Sequence, residues 1–449
     1  MVRVIIITPV YPPNIAVGGG VAITYGALTA KLQSMGHPVR VFSPRLNNLD
    51  HGKSILYENF PVTFPTAANL QLLNRAFQWC DVAVCPDDNN QPFFAYLARV
   101  HDKPFLTNIH TNVEEVLRLS PKLVLNSFAA PIIGTFVRIM SHMSTATYTT
   151  SPSYRDVLVA KGVRVDGVFS PRIKLAVFTL PDSAADIAAA RHWLSRGNVH
   201  KPVLLVAGRL SHEKRIPLLA RAKPAGVVLA VVGDGPDAQS IAELEQYEDV
   251  FVHVGMVDQD RLRVLYKACD LLVSASAFET LGMTVAESHM CGRPVAVQAA
   301  PGFVSQVIPG RNGFLVNYDD ADEARAQLAH ALAHAPSQAQ VLESLQDRWD
   351  AKLEDLQDVV VRMAQQGRAP ANWWLKALLT LVMAVYWFLY SVTTLPFNTL
   401  THRVRKFEWP RIVPALSLPR LPAAVPHGVS GRVVFVAFML YGARVDGVF

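Results

Sequence analysis

The chain has 449 residues, a formal net charge of +6, and 17% charged against 51% hydrophobic residues. This length exceeds what one hydrophobic core usually supports, so it excludes a single small module and indicates two domains with accessory segments. Four dispersed cysteines lack the short paired spacings of zinc sites and fit a reducing intracellular environment, so we expect neither a structural metal nor disulfides. The N-terminus begins with an apolar run that lacks the pattern of a cleaved signal peptide.

The first part of the sequence alternates apolar runs with helical patterns. This alternation predicts an α/β domain with a parallel sheet that helices cover on both faces. The predicted strands are 2–8, 39–42, 82–85 and 105–110, and the predicted helices are 21–35 and 92–100.

A second series of apolar runs predicts another doubly wound domain, and we expect a cleft between the two sheets. A connecting region at 170–198 contains an Ala-rich helix at 184–193, and residues 320–364 read as further helices. The predicted strands of this second sheet are 203–207, 227–232, 250–254, 271–274, 295–298 and 314–316. The predicted domains are 1–175, 176–335 and a helical region at 336–370.

The C-terminal region has a different composition. Residues 377–397 are 21 positions without a formal charge, which is long enough to span a bilayer, so we predict a membrane anchor at 373–397. A buried core helix is the alternative, and a full span or a re-entrant anchor stays open. The tail at 398–449 holds seven Lys and Arg against two acidic residues and many prolines. It ends with RVDGVF, a repeat of 164–169 that no repeat architecture explains.

Three consecutive glycines, Gly18, Gly19 and Gly20, precede a helix that is predicted to begin near Val21. Glycines allow the backbone to approach a phosphate or a sugar closely at a helix N-terminus, and a flexible loop is the alternative. Ile23 stands where a dinucleotide-binding fingerprint needs its third glycine, which disfavours a nicotinamide oxidoreductase.

Two cations follow the strand at 203–207 directly, in the sequence GRLSHEK. Arg209 can form a bidentate pair with a diphosphate and Lys214 adds a point charge, which would stabilise the negative charge on a departing nucleotide. The alternative is a surface salt bridge with Glu213. We favour phosphate binding because ligands of open α/β sheets bind outside the carboxyl ends of the strands.

Two glutamates, Glu279 and Glu287, lie eight positions apart across a predicted strand end, a short loop and a helix. The backbone N–H groups of Thr280, Leu281 and Gly282 could meet an anion at the start of that helix. Glu287 would then reach a different part of the same ligand. Alternatively, the two glutamates only flank a helix start, where one of them is favourable to the helix dipole.

His110 ends the predicted strand at 105–110 and should face the cleft. Its imidazole could hydrogen-bond a sugar hydroxyl or the reacting centre. A structural histidine with satisfied hydrogen bonds is the alternative.

Taken together, five motifs in this order make the chain resemble the retaining glycosyltransferases of family 4, which have the GT-B fold. They are GGG at 18–20, GRLSHEK at 208–214, VVGDGP at 231–236, FETLGMTVAES at 278–288 and GRNGFLV at 310–316. The resemblance covers residues 1–335 and includes the family's pair of glutamates eight positions apart. Within the family, HTN at 110–112, GRLSHEK and ETLGMTVAE look closest to lipid glycosyltransferases of the sulfoquinovosyl diacylglycerol synthase type.

The resemblance implies two Rossmann-like domains, a UDP-sugar co-substrate bound by the second domain, transfer with retention, and neither a metal nor another cofactor. No nucleophilic carboxylate is then needed, because the departing phosphate accepts the proton of the acceptor. By the same resemblance, Arg209 and Lys214 hold the diphosphate, and Gly19 and Gly20 approach the donor phosphates. Glu287 holds the ribose, and Glu279 holds the donor sugar, with Thr280, Leu281 and Gly282 beside it. His110 holds the sugar near the reaction centre.

Two segments depart from the family pattern. The sequence AAPG at 299–302 leads to Gln306 where the family has a glycine pair and an acid, which puts donor-sugar recognition in doubt. The usual glycine and aspartate are also missing from 170–174, where Arg172 or Lys174 could bind an anionic donor or lipid, or remain solvated.

The expected function is therefore a membrane-anchored retaining glycosyltransferase that moves a sugar from a UDP donor to a lipid, with sulfoquinovose and diacylglycerol as the candidate pair. Another hexose donor or a soluble acceptor is the first alternative, and an inactive GT-B scaffold that binds a partner is the second. We expect a membrane but no nucleic acid among the partners. The catalytic part is expected to face the cytosol or to lie in a plastid membrane, and the compartment stays open.

Overall fold

The structure is a computed structural model that describes residues 1–8, 15–43, 57–58, 67–86, 91–111, 134–135, 137–169, 175–347, 350 and 353–370. The chain divides into two compact units. The first takes in the described residues within 1–108, 139–147 and 357–449, and the second those within 109–138 and 148–356.

A parallel sheet of seven strands in the order β3-β2-β1-β4-β5-β6-β7 belongs to the first part of the chain. Val4 of the central strand pairs with Val39 on one side and with Val82 on the other. The strands are β1 Val4–Ile7, β2 Val39–Phe42, β3 Tyr57–Glu58, β4 Val82–Pro86, β5 Phe105–Ile109, β6 Ala146–Thr149 and β7 Gly167–Val168.

A second parallel sheet has six strands in the order β10-β9-β8-β11-β12-β13. Sequence order reverses between β8 and β11, which makes this the topological switch point where such sheets bind ligands. The strands are β8 Val203–Ala207, β9 Val228–Gly233, β10 Val250–Val254, β11 Leu271–Ser274, β12 Val295–Val297 and β13 Gly313–Leu315.

Helices connect the strands of both sheets. In chain order they are α1 Ile15–Ser34, α2 Ala67–Trp79, α3 Gln91–Val100, α4 Pro152–Ala160, α5 Ala184–Leu194, α6 Ile216–Ala222, α7 Ala238–Ala242, α8 Gln259–Ala268, α9 Met283–Met290, α10 Pro301–Val304, α11 Ala321–Ala333, α12 Gln338–Ser344 and α13 Leu356–Gln366.

The second sheet is apolar on both faces, as strand β8 shows. Val203 and Leu205 belong to one buried cluster, whereas Leu204 and Val206 belong to another. Because successive side chains of a strand point to opposite faces, a strand covered on both sides must be apolar at every position. This explains why the sequence predicts the strands of this sheet to within one residue at each end.

The prediction for the first helix was wrong at its N-terminal end. Helix α1 begins at Ile15, so Gly18, Gly19 and Gly20 lie within it and not in a loop before Val21. A glycine inside a helix costs about 1 kcal/mol relative to alanine. Packing outweighs this cost, because α1 buries one face along its length through Ala22, Tyr25, Leu28 and Leu32.

The membrane anchor predicted at 373–397, the tail at 398–449, and Arg172 and Lys174 lie outside the described residues. Within the described ranges, the structure contains no helix with the length and apolar character needed to cross a bilayer. The predicted domain boundaries and the predicted cleft remain predictions.

Candidate functional site

The loops after β8 and β9 touch through their backbones. Leu210 donates its N–H to the Asp234 carbonyl at 2.8 Å, and a side chain at Gly233 would place its Cβ 1.8 Å from the Gly208 carbonyl oxygen. A Cβ at Gly235 would lie 2.2 Å from the Leu210 carbonyl oxygen, and the Gly235 N–H donates to the Asp234 carboxylate at 2.7 Å. The GDGP segment at 233–236 is thus a structural turn, and it contacts the loop that carries Arg209 through backbone atoms.

Arg209 forms an ion pair with Glu213 at 2.6 Å, and its side chain is 57% exposed. The Ser211 hydroxyl donates to the same carboxylate oxygen at 2.6 Å. Burial raises the pKa of Glu213, but the hydrogen bond from Ser211 and the charge of Arg209 outweigh it, so the net pKa is lowered. The structure therefore contains the surface salt bridge named as the alternative, and phosphate binding by Arg209 stays a prediction.

Lys214 lies at the end of a short 3-10 helix, His212–Lys214, and its ammonium forms an ion pair with the Glu279 carboxylate. The two residues follow β8 and β11, the neighbouring strands at the switch point of the sheet. Their side chains are 28% and 16% exposed. Two residues that the sequence proposed separately as ligand contacts are thus brought together at the edge where this sheet would bind a ligand.

The loop from Glu279 to Gly282 is held by the segment that departs from the family pattern. Gly302 donates its N–H to the Glu279 carbonyl at 2.7 Å. The Gln306 amide nitrogen donates to the carbonyl groups of Leu281, of Gly282 at 3.2 Å and of Gly302 at 3.1 Å. Gln306 is buried, and its side-chain amide supports the loop by donating to the backbone carbonyls of the loop.

Gly282 begins helix α9 with a positive φ of 78°. A Cβ at this position would lie 2.4 Å from Cε1 of Phe303, which is fully buried. Glycine supplies both the backbone conformation and the space for the tight entry into the helix that carries Glu287.

Thr280 connects this loop to His110 within the same compact unit. The Thr280 hydroxyl donates to the His110 carbonyl at 2.5 Å, while the hydroxyls of Thr150 and Ser151 donate to the Thr280 carbonyl at 2.9 and 2.6 Å. The His110 ring packs against Phe169 with 5.2 Å between the ring centroids. His110 is therefore held in position through its backbone and its ring face.

Glu287 accepts a hydrogen bond at 2.9 Å from the Tyr266 hydroxyl. Tyr266 is fully buried on α8, and burial, followed by the nearby charge of Glu287, raises its pKa well above the usual value. The phenol therefore stays protonated and donates to the carboxylate. Sequence reasoning missed Tyr266, because a tyrosine on the buried face of an amphipathic helix gives no signal of its partner.

His110, Arg209, Lys214, Glu279, Thr280, Leu281, Gly282 and Glu287 belong to the second compact unit, whereas Gly19 and Gly20 belong to the first. Among the residues that the structure describes, no three His, Cys, Asp or Glu side chains are grouped so that they could hold a metal ion. The candidate site contains the ion pair of Lys214 with Glu279 and the carboxylate of Glu287, which accepts a hydrogen bond from Tyr266.

Two parallel doubly wound sheets with a ligand edge at the switch point define a fold of the GT-B type. HepE of Anabaena in complex with UDP-glucose has the same fold, with a TM-score of 0.59 at 19% identity over 82% of this chain and 98% of that chain. Residues 193–346 match the family Glycosyl transferases group 1. This match and the fold together support a glycosyltransferase of the GT-B type.

Two similar proteins have names that refer to glycolipids or to sulfoquinovose. The chain is 25% identical over 358 residues to alpha-monoglucosyldiacylglycerol synthase of Streptococcus pneumoniae, covering 74% of this chain and 78% of that protein. It is 24% identical over 319 residues to sulfoquinovosyl transferase SQD2 of Arabidopsis thaliana, covering 67% of this chain but only 59% of that protein.

Proposed function

We propose that the protein is a retaining, metal-independent glycosyltransferase that moves a sugar from a UDP-sugar to a membrane lipid. Sulfoquinovose transfer to diacylglycerol is the first reaction to test. The observation that carries the proposal is the ion pair of Lys214 with Glu279 at the switch point, with Glu287 eight positions further on. Two relatives named for glucosyldiacylglycerol synthesis and sulfoquinovosyl transfer support a lipid acceptor.

In the proposed step, the bond between the anomeric carbon and the diphosphate oxygen breaks while the acceptor oxygen bonds to the same face of that carbon. The acceptor proton passes to the departing phosphate, so no carboxylate has to act as nucleophile or base. Lys214 and Arg209 stabilise the negative charge of the leaving diphosphate, which is the largest catalytic term in such a step. Their two positive charges take the role that a metal ion has in other transferases.

The other residues of the site bind the donor. Glu279 contacts the donor sugar, Glu287 contacts the ribose hydroxyls, and the N–H groups of the loop between them face the diphosphate. His110 contacts the sugar near the reaction centre.

Membrane association is part of the proposal. The segment at 373–397, in which residues 377–397 carry no formal charge, would anchor the chain, and the basic tail at 398–449 would contact anionic lipid. A lipid acceptor fits such a location, on a membrane facing the cytosol or in a plastid.

The experiment incubates the full-length protein in vesicles with each of several UDP-sugars and with diacylglycerol or a glucosylated diacylglycerol. Release of UDP, a glycolipid product by mass spectrometry and retained anomeric configuration by NMR support the proposal, as does activity that EDTA leaves unchanged. A product formed only with soluble acceptors would replace the lipid assignment.

If no combination of donor and acceptor released UDP, the inactive scaffold would be favoured. It is the second candidate because the segment that leads to Gln306 departs from the family pattern. Turnover unchanged in Arg209→Ala would refute the assignment of Arg209 to the leaving group.

A further inference from the structure

We infer that Tyr266 is a positioning residue that orients Glu287 and thereby sets the preference of the site for a ribonucleotide over a 2′-deoxyribonucleotide. The inference rests on the proposed function, because it takes Glu287 as the group that meets the ribose. It adds a residue that does not itself touch the ligand.

The geometry gives Tyr266 one specific partner. Its hydroxyl lies 2.9 Å from Oε2 of Glu287, a residue of the neighbouring helix α9. Its ring packs edge-on against Phe178, with 5.9 Å between centroids, and belongs to the buried core of the second unit. The ring is therefore fixed by packing, so the hydroxyl presents a donor at a fixed place beside the carboxylate.

A buried hydroxyl needs a partner, and a backbone carbonyl can satisfy it. Tyr318 shows this solution, since its equally buried hydroxyl donates to the Ala296 carbonyl at 2.9 Å. Tyr266 instead donates to a half-buried charged side chain and thereby restricts its motion.

The constraint has a chemical consequence for the ligand. A carboxylate oxygen held by a phenol keeps the plane of the carboxylate fixed, so the hydrogen bonds it accepts from a vicinal ribose diol have a set direction. Hydrogen bonds to a charged group in a partly dry site discriminate strongly against a ligand that lacks one hydroxyl. Without the phenol, Glu287 keeps its charge but loses the hydrogen bond that Tyr266 donates to its carboxylate.

The test measures binding of UDP and of 2′-deoxy-UDP to the full-length protein by calorimetry. The wild type is expected to bind UDP more tightly than 2′-deoxy-UDP. In Tyr266→Phe the Kd for UDP is expected to rise about tenfold, while the Kd for 2′-deoxy-UDP rises less. The ratio of the two Kd values, which measures the preference for UDP, should therefore become smaller. In a Glu287→Ala background the same substitution is expected to change neither Kd, because Tyr266 acts through Glu287.

Tyr318→Phe is the matched control. It also removes one buried hydroxyl from the same unit, so it should lower the melting temperature comparably while leaving both Kd values unchanged. If Tyr266→Phe and Tyr318→Phe affect binding alike, Tyr266 is only structural and the inference fails. Suppose that the wild type binds UDP more tightly than 2′-deoxy-UDP and that Tyr266→Phe keeps the same ratio of the two Kd values. In that case the inference fails and the proposed function stands. If the wild type binds neither nucleotide, the proposed UDP-sugar donor is wrong and the inference fails with it.

Discussion

The ammonium of Lys214 and the carboxylate of Glu279 form an ion pair although 65 positions separate them in the sequence. The pair joins the segments that follow β8 and β11, so the positive charge proposed for the diphosphate and the carboxylate proposed for the sugar already touch each other. A donor that binds here must share Lys214 with Glu279, and its phosphates would compete for the same ammonium.

Lys214→Ala is expected to lower turnover by about 10²- to 10³-fold, because it removes a charge that is proposed to stabilise the leaving group. Lys214→Arg keeps the charge and should recover part of the loss. The rate of UDP release from the active donor measures both. Lys201→Ala is the control, since Lys201 also pairs with a carboxylate, that of Asp249 at 2.7 Å, but lies before β8 begins. Equal losses in the Lys214 and Lys201 variants would contradict a role of Lys214 in the reaction.

Thr280→Val removes the hydroxyl that donates to the His110 carbonyl while keeping the shape of the side chain. We expect the free energy of unfolding to fall by about 1 kcal/mol, the usual value of one such hydrogen bond. Turnover should fall more than donor affinity does, because His110 is proposed to contact the sugar near the reaction centre. Steady-state kinetics separate the two effects. Thr179→Val, which removes a hydroxyl bonded to the local Ala176 carbonyl at 2.8 Å, should affect stability alone.

Gly282→Ala is expected to be strongly destabilising for two reasons. The positive φ costs a residue with a Cβ about 1–2 kcal/mol, and the contact with Phe303 adds about 1–3 kcal/mol for overpacking. Gly226→Ala separates the two terms, because Gly226 has a φ of 72° and open space around its missing Cβ. Urea unfolding of both variants measures the difference. Equal losses would mean that Phe303 moves aside at no cost.

Asp182 is the buried partner of two cations, Arg263 at 2.8 Å and Lys267 at 2.7 Å. The hydrogen bond from Arg263, assisted by Lys267 against the opposing effect of burial, lowers the pKa of Asp182 to about 2. Since the folded-state pKa lies below the unfolded value of 3.8, the carboxylate stabilises the fold above pH 4. That stability is lost progressively as the pH falls from 4 towards 2.

Asp182→Asn should therefore lower the free energy of unfolding by about 2 kcal/mol at neutral pH. The difference from the wild type should shrink below pH 4, because the wild type loses the same charge there. Denaturant unfolding between pH 3 and pH 7 measures the difference. Asp186→Asn on the exposed start of α5 is the control and should show no comparable dependence. If the difference in the free energy of unfolding between Asp182→Asn and the wild type stays constant down to pH 3, the charge of Asp182 is not what stabilises the fold.

The strands of the second sheet could be predicted from the sequence because each consists mainly of apolar residues, with polar side chains only at His253 of β10 and at Ser274, the end of β11. The three short strands β3, β6 and β7 could not. Thr147 and Thr149 are the buried residues of β6, so its inner face carries hydroxyls and gives no apolar signal. Strands β3 and β7 have two residues each, which is too short for any periodicity.

Part of the candidate site could be predicted from the sequence. The residue types at Lys214, Glu279 and Glu287 indicated a ligand edge, but which side chains meet depends on how the chain returns to that edge. The ion pair of Lys214 with Glu279 and the hydrogen bond of Tyr266 to Glu287 join residues 65 and 21 positions apart, and no local pattern specifies either contact. Gln306 shows the opposite case, since a departure from the family pattern turned out to support the loop.

The close approach of Gly233 to Gly208 limits how this enzyme could be re-engineered. Any side chain at Gly233 or Gly235 would collide with main-chain atoms, which cannot rotate away as a flexible side chain can. Libraries that aim to change donor choice should therefore leave these two positions fixed. Diversity is better placed on the exposed turn residue Asp234, because its contact with Leu210 runs through its backbone carbonyl and not through its side chain.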